Sequence, residues 1–211
     1  MADWVTISSL ATAGGTLVLA VATFSSVRSA NRAARVAEES LLATMRPLLV
    51  PSKLEDAVQK VGFVDGKYLR VPGGGGAAEA GDEAVYLAMS VRNVGSGIAV
   101  LHGWRLETGT TPAQLSVRPD VDSFRRLSRD IYIAPNDIGF WQGAVRDAGD
   151  AERPALVALV EQRERIIVDV LYGDHLGGQR VVSRFSFLPR PDDGWLVSVS
   201  RHWNIDRPDP R

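Results

Sequence analysis

Hydrophobic and polar positions follow two different patterns along this chain, and the change falls near Pro47. Before it, Trp4 to Val27 runs WVTISSLATAGGTLVLAVATFSSV, 24 positions without a charged side chain. A helix rises about 1.5 Å per residue, so roughly 20 residues cross the hydrocarbon core of a bilayer. The run therefore predicts a single membrane anchor within residues 1–27, with Trp4, Leu10, Leu17, Leu19 and Phe24 among its anchoring side chains. Met1, Ala2 and Asp3 supply no basic n-region, which argues against a cleaved secretory signal. From Ser25 to Met45 the sequence turns polar and alanine-rich, which predicts a helical stalk over 28–46. Pro47 ends it at or before Arg46, because the residue preceding a proline is pushed out of the α region.

Beyond Pro47 the period becomes two. Leu48 to Val50 reads as a short strand, and Val61 to Val64 and Lys67 to Val71 read as a hairpin joined by Asp65-Gly66, a pair suited to a type I′ turn. PGGGGAAEAGD, Pro72 to Asp82, predicts a flexible loop, since neither a Lys-Ser/Thr pair nor a helix follows its glycines to make a phosphate cradle. Val85, Leu87, Met89 and Val91 alternate with Tyr86, Ala88, Ser90 and Arg92, a strand that Asn93-Val94-Gly95-Ser96-Gly97 breaks. Further strands are predicted over 98–107, 123–134, 138–145, 165–172, 180–188 and 195–203, with one helix over Pro154 to Arg163. Strands this short, separated by turn signals, predict a mainly β fold: an antiparallel, immunoglobulin-like sandwich over 47–206, followed by an exposed tail over 207–211.

Charge refines the picture at the anchor. Arg28, Arg32 and Arg35 follow the apolar run directly, and no Lys or Arg precedes it. Basic residues near a span stay in the cytoplasm, so these three arginines set an N-out, C-in topology with the β domain cytoplasmic. The alternative is an exported sandwich whose first helix is a signal or an inverted anchor. Ser8, Thr12, Thr16 and Ala20 recur every four residues beside Gly15, a small-residue face that suits close helix packing in lipid, with a second copy or another membrane protein. Over the whole chain 24 Lys and Arg balance 25 Asp and Glu, which is no nucleic-acid footprint. Cysteine is absent, so disulfides and thiolate metal sites are excluded, and no cofactor is expected.

Candidate chemistry is sparse. The histidines, His102, His175 and His202, form no metal-binding pair at helical spacing. Asp174-His175, in the loop between two strands, is the one weak acid/base candidate and would serve a membrane-anchored hydrolase-like enzyme. An Asp in its own turn beside an exposed His is the plainer reading. Asp169 lies inside the apolar run Ile166 to Leu171 and is expected to pair with Arg184 across the hairpin. Trp104, Trp141, Trp195 and Trp203 are expected in the core.

An anchor, an arginine-bearing helix ending in Arg46-Pro47, a strand ending NVGSGIA (93–99), the hairpin YGDHLGGQRVVSRF (172–185) and a closing RHWNIDRPDPR (201–211) occur in that order. Together they resemble small single-pass, actinobacterial-type membrane proteins with an immunoglobulin-like sandwich. The resemblance implies a fold and a location but no activity, and it brings no site residue with it. The expected function is a membrane-anchored protein-interaction or assembly module.

Overall fold

The computed structural model describes residues 3–107 and 111–209; Met1, Ala2, Pro210 and Arg211, at the ends of the expected anchor and tail, lie outside them. The chain forms two compact units, Met1–Ala43 and Thr44–Arg211. In the first unit, anchor and stalk are one uninterrupted helix, α1 (Trp4–Thr44). None of its described side chains is buried, and it is long and apolar enough to cross a membrane. On the small face, Thr12 Oγ1 donates to the Ser8 carbonyl at 2.9 Å and Thr16 Oγ1 to the Thr12 carbonyl at 2.8 Å. Their hydroxyls are satisfied inside the helix, which suits a face that meets an apolar neighbour.

The second unit is mainly β and antiparallel throughout. In chain order its strands are β1 (Leu49–Pro51), β2 (Gln59–Gly62), β3 (Tyr68–Val71), β4 (Gly75–Ala80), β5 (Val85–Asn93), β6 (Ala99–Leu106), β7 (Arg125–Ile133), β8 (Ile138–Val145), β9 (Ile166–Gly173), β10 (Arg180–Pro189) and β11 (Trp195–Asn204). Two short helices, α2 (Pro112–Ser116) and α3 (Arg153–Glu161), interrupt them. Neighbours run β5-β4-β11-β10-β9-β6-β7, with β8 on the far edge of β5 and β1 beside β4 on its near edge. The outermost strands of this path, β7 and β8, are consecutive in sequence and joined by a short turn, so the sheet folds over on itself in a sandwich-like arrangement.

The layers meet on one apolar core. The alternating set Val85, Leu87, Met89 and Val91 faces it, as its period predicts. Across from it lie Ile166, Val168 and Val170 of β9 and Phe185 and Phe187 of β10. An aromatic file crosses this core edge to face, Trp104 to Trp141 at 5.4 Å, Trp141 to Phe187 at 6.4 Å and Phe187 to Trp195 at 6.5 Å. Leu156 brings α3 onto the core, with Leu159 and Val160 packed beside it. On the outer faces, the β2–β3 hairpin covers Ala88 through Val61, Leu69 and Val71, and Val121 and Phe124 cover Leu171, Val182 and Trp203.

Three expectations are corrected. Pro72 to Asp82 is not a flexible loop: Gly75–Ala80 is a strand, and a Cβ on Gly76 would strike the ring of Phe187. The glycines let backbone approach an aromatic ring, so here they specify packing and not looseness. At Asp65-Gly66 only Gly66 has positive φ (83°), and its N–H donates to the Phe63 carbonyl. The turn is therefore type I followed by a left-handed glycine, not type I′. The expected strand start at Ser123 is instead a turn of 3₁₀ helix over Val121–Ser123, and β7 begins at Arg125.

The NVGSG segment holds the chain as it enters the domain. Asn93 Nδ2 donates to the carbonyls of Gly97 and Ile133, and Asn93 Oδ1 accepts from Leu48 N–H at 3.1 Å. Gly97 lies so close to the Met45 carbonyl that no Cβ fits there.

Candidate functional site

The loop that carried the one catalytic expectation closes on itself. Asp174 is buried, and its Oδ1 accepts from the backbone N–H groups of Leu176 (2.9 Å) and Gly178 (3.0 Å). That is the bonding of an Asx-type turn, completed by Gly177 at φ 76°. His175 is exposed, and no hydrogen bond joins it to Asp174 among the described residues. His102 stands on β6 with its Nε2 against Gly173. The three histidines are thus placed apart in role, and no group of His, Asp and Glu suited to a metal ion occurs among the described residues.

Charge concentrates instead on the outer face of β9, β10 and β11. Every residue of β9 is buried, so its polar member lies under cover. Asp169 stands directly opposite Arg184 in the β9–β10 register. Arg184 Nε donates to Asp169 Oδ1 and Nη2 to Oδ2, both at 2.7 Å, a bidentate pair with each residue 2 % exposed or less. The expected cross-hairpin salt bridge is therefore present and lies deep in the domain. The same guanidinium donates to Glu107 Oε2 at 2.6 Å and, through Nη1, to the Leu115 carbonyl of α2. Its flat side rests over the Trp203 ring, 4.9 Å from the centroid. Arg105 closes the cluster beside Glu107 and Asp169. Burial pushes the Asp169 carboxyl above its ordinary value, against the opposing pull of Arg184. Removing charge from water outweighs the pairing there, which is the usual balance for buried ion pairs.

Next to this pair lies an open groove of about 270 Å³. Arg165, Arg184 and Arg201 line it, with Ser186 and Ser200 between them and α2 forming one wall through Pro112 and Leu115. Arg201 sits opposite Arg184 across β10 and β11, and the register shifts just after it, which leaves Ser200 as the extra residue of a bulge. Sequence reasoning found Asp169 and Arg184 but not this groove. Arg165, Arg201 and α2 are far apart along the chain, and α2 shows only a five-residue signature, a Thr111 capping box with Pro112 at its start.

On the inner face, a second polar chain passes through the core. Leu49 N–H donates to the Tyr172 hydroxyl at 3.1 Å, Tyr172 shares a 2.7 Å hydrogen bond with Ser183, and Ser183 shares one of 2.6 Å with His202 Nδ1. This chain ties β1 to β9, β10 and β11. It is built into the fold, with Tyr172 and Ser183 fully buried.

A search for relatives gave none: no protein-family model, curated protein or solved structure matches the chain.

Burial pushes the Tyr172 phenol from its ordinary 10.0 up to about 12. A group with a raised folded pKa contributes its full stability below the unfolded value and loses it as pH rises through the folded one. The Tyr172 contribution therefore fades between pH 10 and about 12, at roughly 1.4 kcal/mol per pH unit. In alkaline denaturant titrations, Tyr172→Phe is expected to flatten that decline while lowering stability near neutral pH by about 1–3 kcal/mol, because Leu49 N–H loses its acceptor. An unchanged alkaline slope in the variant counts against the chain.

Proposed function

We propose that the protein is a single-pass membrane protein whose β domain lies on the cytoplasmic side and acts as a protein-interaction or assembly module. The observation that carries this reading is α1. Its apolar stretch is exposed along its whole described length, and surface of that kind is stable in lipid or against another helix. Arg28, Arg32 and Arg35 mark its cytoplasmic end, since no basic residue competes at the other flank. Ser8, Thr12, Gly15, Thr16 and Ala20 give the face through which the anchor meets a second copy or a partner helix. A domain tethered in this way acts at high local concentration on whatever shares the membrane.

The full chain is expected to resist alkaline carbonate extraction, and a C-terminal phosphatase fusion, active only outside the cytoplasm, to be silent. Replacing Arg28, Arg32 and Arg35 with Glu should give mixed topology, because Arg46 retains some bias. Release by carbonate, or a fully active wild-type fusion, contradicts the reading.

Assembly is tested separately, and the absence of native cysteine makes the test clean. Thr12→Cys in native membranes should give an oxidant-induced dimer, or a cross-linked product with a cysteine-bearing partner. Leu10→Cys, about 200° around the helix, should give far less. Equal cross-linking at both positions contradicts a specific face.

A further inference from the structure

The groove beside the buried ion pair carries an electrostatic imbalance that its own residues do not resolve. Arg184 and Arg201 are opposite each other in the β10–β11 register, and like charges facing across a strand pair are unfavourable. Both guanidiniums lie over the same indole, Trp203, at 4.9 Å and 5.7 Å from its centroid. Arg184 is neutralised below by Asp169 and Glu107. Among the described residues, the one hydrogen bond of the Arg201 guanidinium runs from Nη1 to the Ser116 carbonyl at 3.2 Å. Arg165 is exposed at the groove wall and makes no ion pair among the described residues. Arg105 and Arg184 offset the carboxylates of Asp169 and Glu107, while Arg165 and Arg201 have no carboxylate partner among the described residues, which leaves two positive charges at the groove.

We infer that this groove is a binding site for a phosphate group, with Arg165 and Arg201 as its charged ligands and the Ser186 hydroxyl beside them; Ser200, also in the lining, donates its hydroxyl to the Arg184 carbonyl at 3.4 Å. A phosphomonoester at neutral pH carries about −1.5 to −2 charges and presents three acceptor oxygens, which matches the residual charge and the donors present. Guanidiniums offer planar paired N–H groups that suit such oxygens, and all five of Arg165 are uncommitted among the described residues. Arg184 is the positioning residue. Its N–H groups are spent on Asp169, Glu107 and Leu115, which fixes α2 as a wall and holds the Trp203 face on which Arg201 rests. The bulge leaves Ser200 unpaired in the β10–β11 register, and Ser200 is among the residues that line the groove. The phosphate group can belong to a soluble metabolite or to a lipid headgroup, and the site recognises the chemistry the two share.

The test uses the full chain in detergent and in nanodiscs. Calorimetric titrations are made with inorganic phosphate, with glycerol 3-phosphate and with short-chain phosphatidate dispersed in the same detergent, the nanodiscs being of phosphatidylcholine alone. Arg165→Gln is the first variant, since its side chain is exposed and its loss leaves the ion-pair cluster intact; an unchanged melting temperature checks that. Arg201→Gln is the second. Saturable binding of at least one phosphate probe, weakened tenfold or more by Arg165→Gln and again by Arg201→Gln, is the expected result. Binding by the soluble probes identifies a soluble source; dependence on phosphatidate alone identifies the headgroup. Absence of saturable binding to every probe, or binding that neither variant weakens, overturns the inference.

Discussion

A carboxylate in the middle of a strand buried on both faces is the constraint around which the domain is arranged. Asp169 cannot reach water from β9, so it must meet a cation inside the fold, and the β9–β10 register places Arg184 directly opposite. The pair then sets its surroundings. Arg184 has donors left over, and they capture Glu107 beyond the end of β6 and the last turn of α2. Its flat face needs an aromatic lid, which β11 supplies as Trp203. Shifting β10 by one residue against β9 would turn Arg184 to the apolar side and leave Asp169 without a partner. A buried ion pair adds little net stability, because desolvation offsets the attraction. Here it acts as a register lock.

Strand alternation divides the sheet's two faces between different tasks. Inward, β5, β9 and β10 contribute apolar side chains to a core threaded by an aromatic file, and the polar Tyr172–Ser183–His202 chain runs through it and ties β1 in place. Outward, the β2–β3 hairpin covers one region and the 3₁₀ turn and Phe124 another. The arginine-lined groove is left open on the outer face. The groove's shape therefore depends on the register lock, since α2 and Trp203 are both positioned by Arg184.

Much of this was readable in advance, and the unread part has a common cause. The β5 strand was plain from Val85, Leu87, Met89 and Val91, because alternation reports which face meets the core. Asp169 and Arg184 were legible as a pair because a hairpin fixes partners at a known spacing. The uncharged run before Arg28 announced the long apolar helix. By contrast, Gly76 looks like part of a loop until Phe187 is seen lying across it, and Gly97 reveals its need only when Met45 arrives beside it. The groove draws on Arg165, Arg184, Arg201 and a five-residue helix, segments brought together solely by tertiary structure. Requirements that one segment places on another leave no local signature.

The register-lock account is tested most directly by a double-mutant cycle on Arg184→Met and Asp169→Leu, read by denaturant unfolding. Arg184→Met alone strands a buried carboxylate and is expected to lose about 3–5 kcal/mol. The double variant removes both charges and should be markedly more stable than the sum of the two single losses predicts, with a coupling of at least about 1 kcal/mol. Strictly additive losses would mean that the two residues act independently, and the pair would not be what holds β9 and β10 in register.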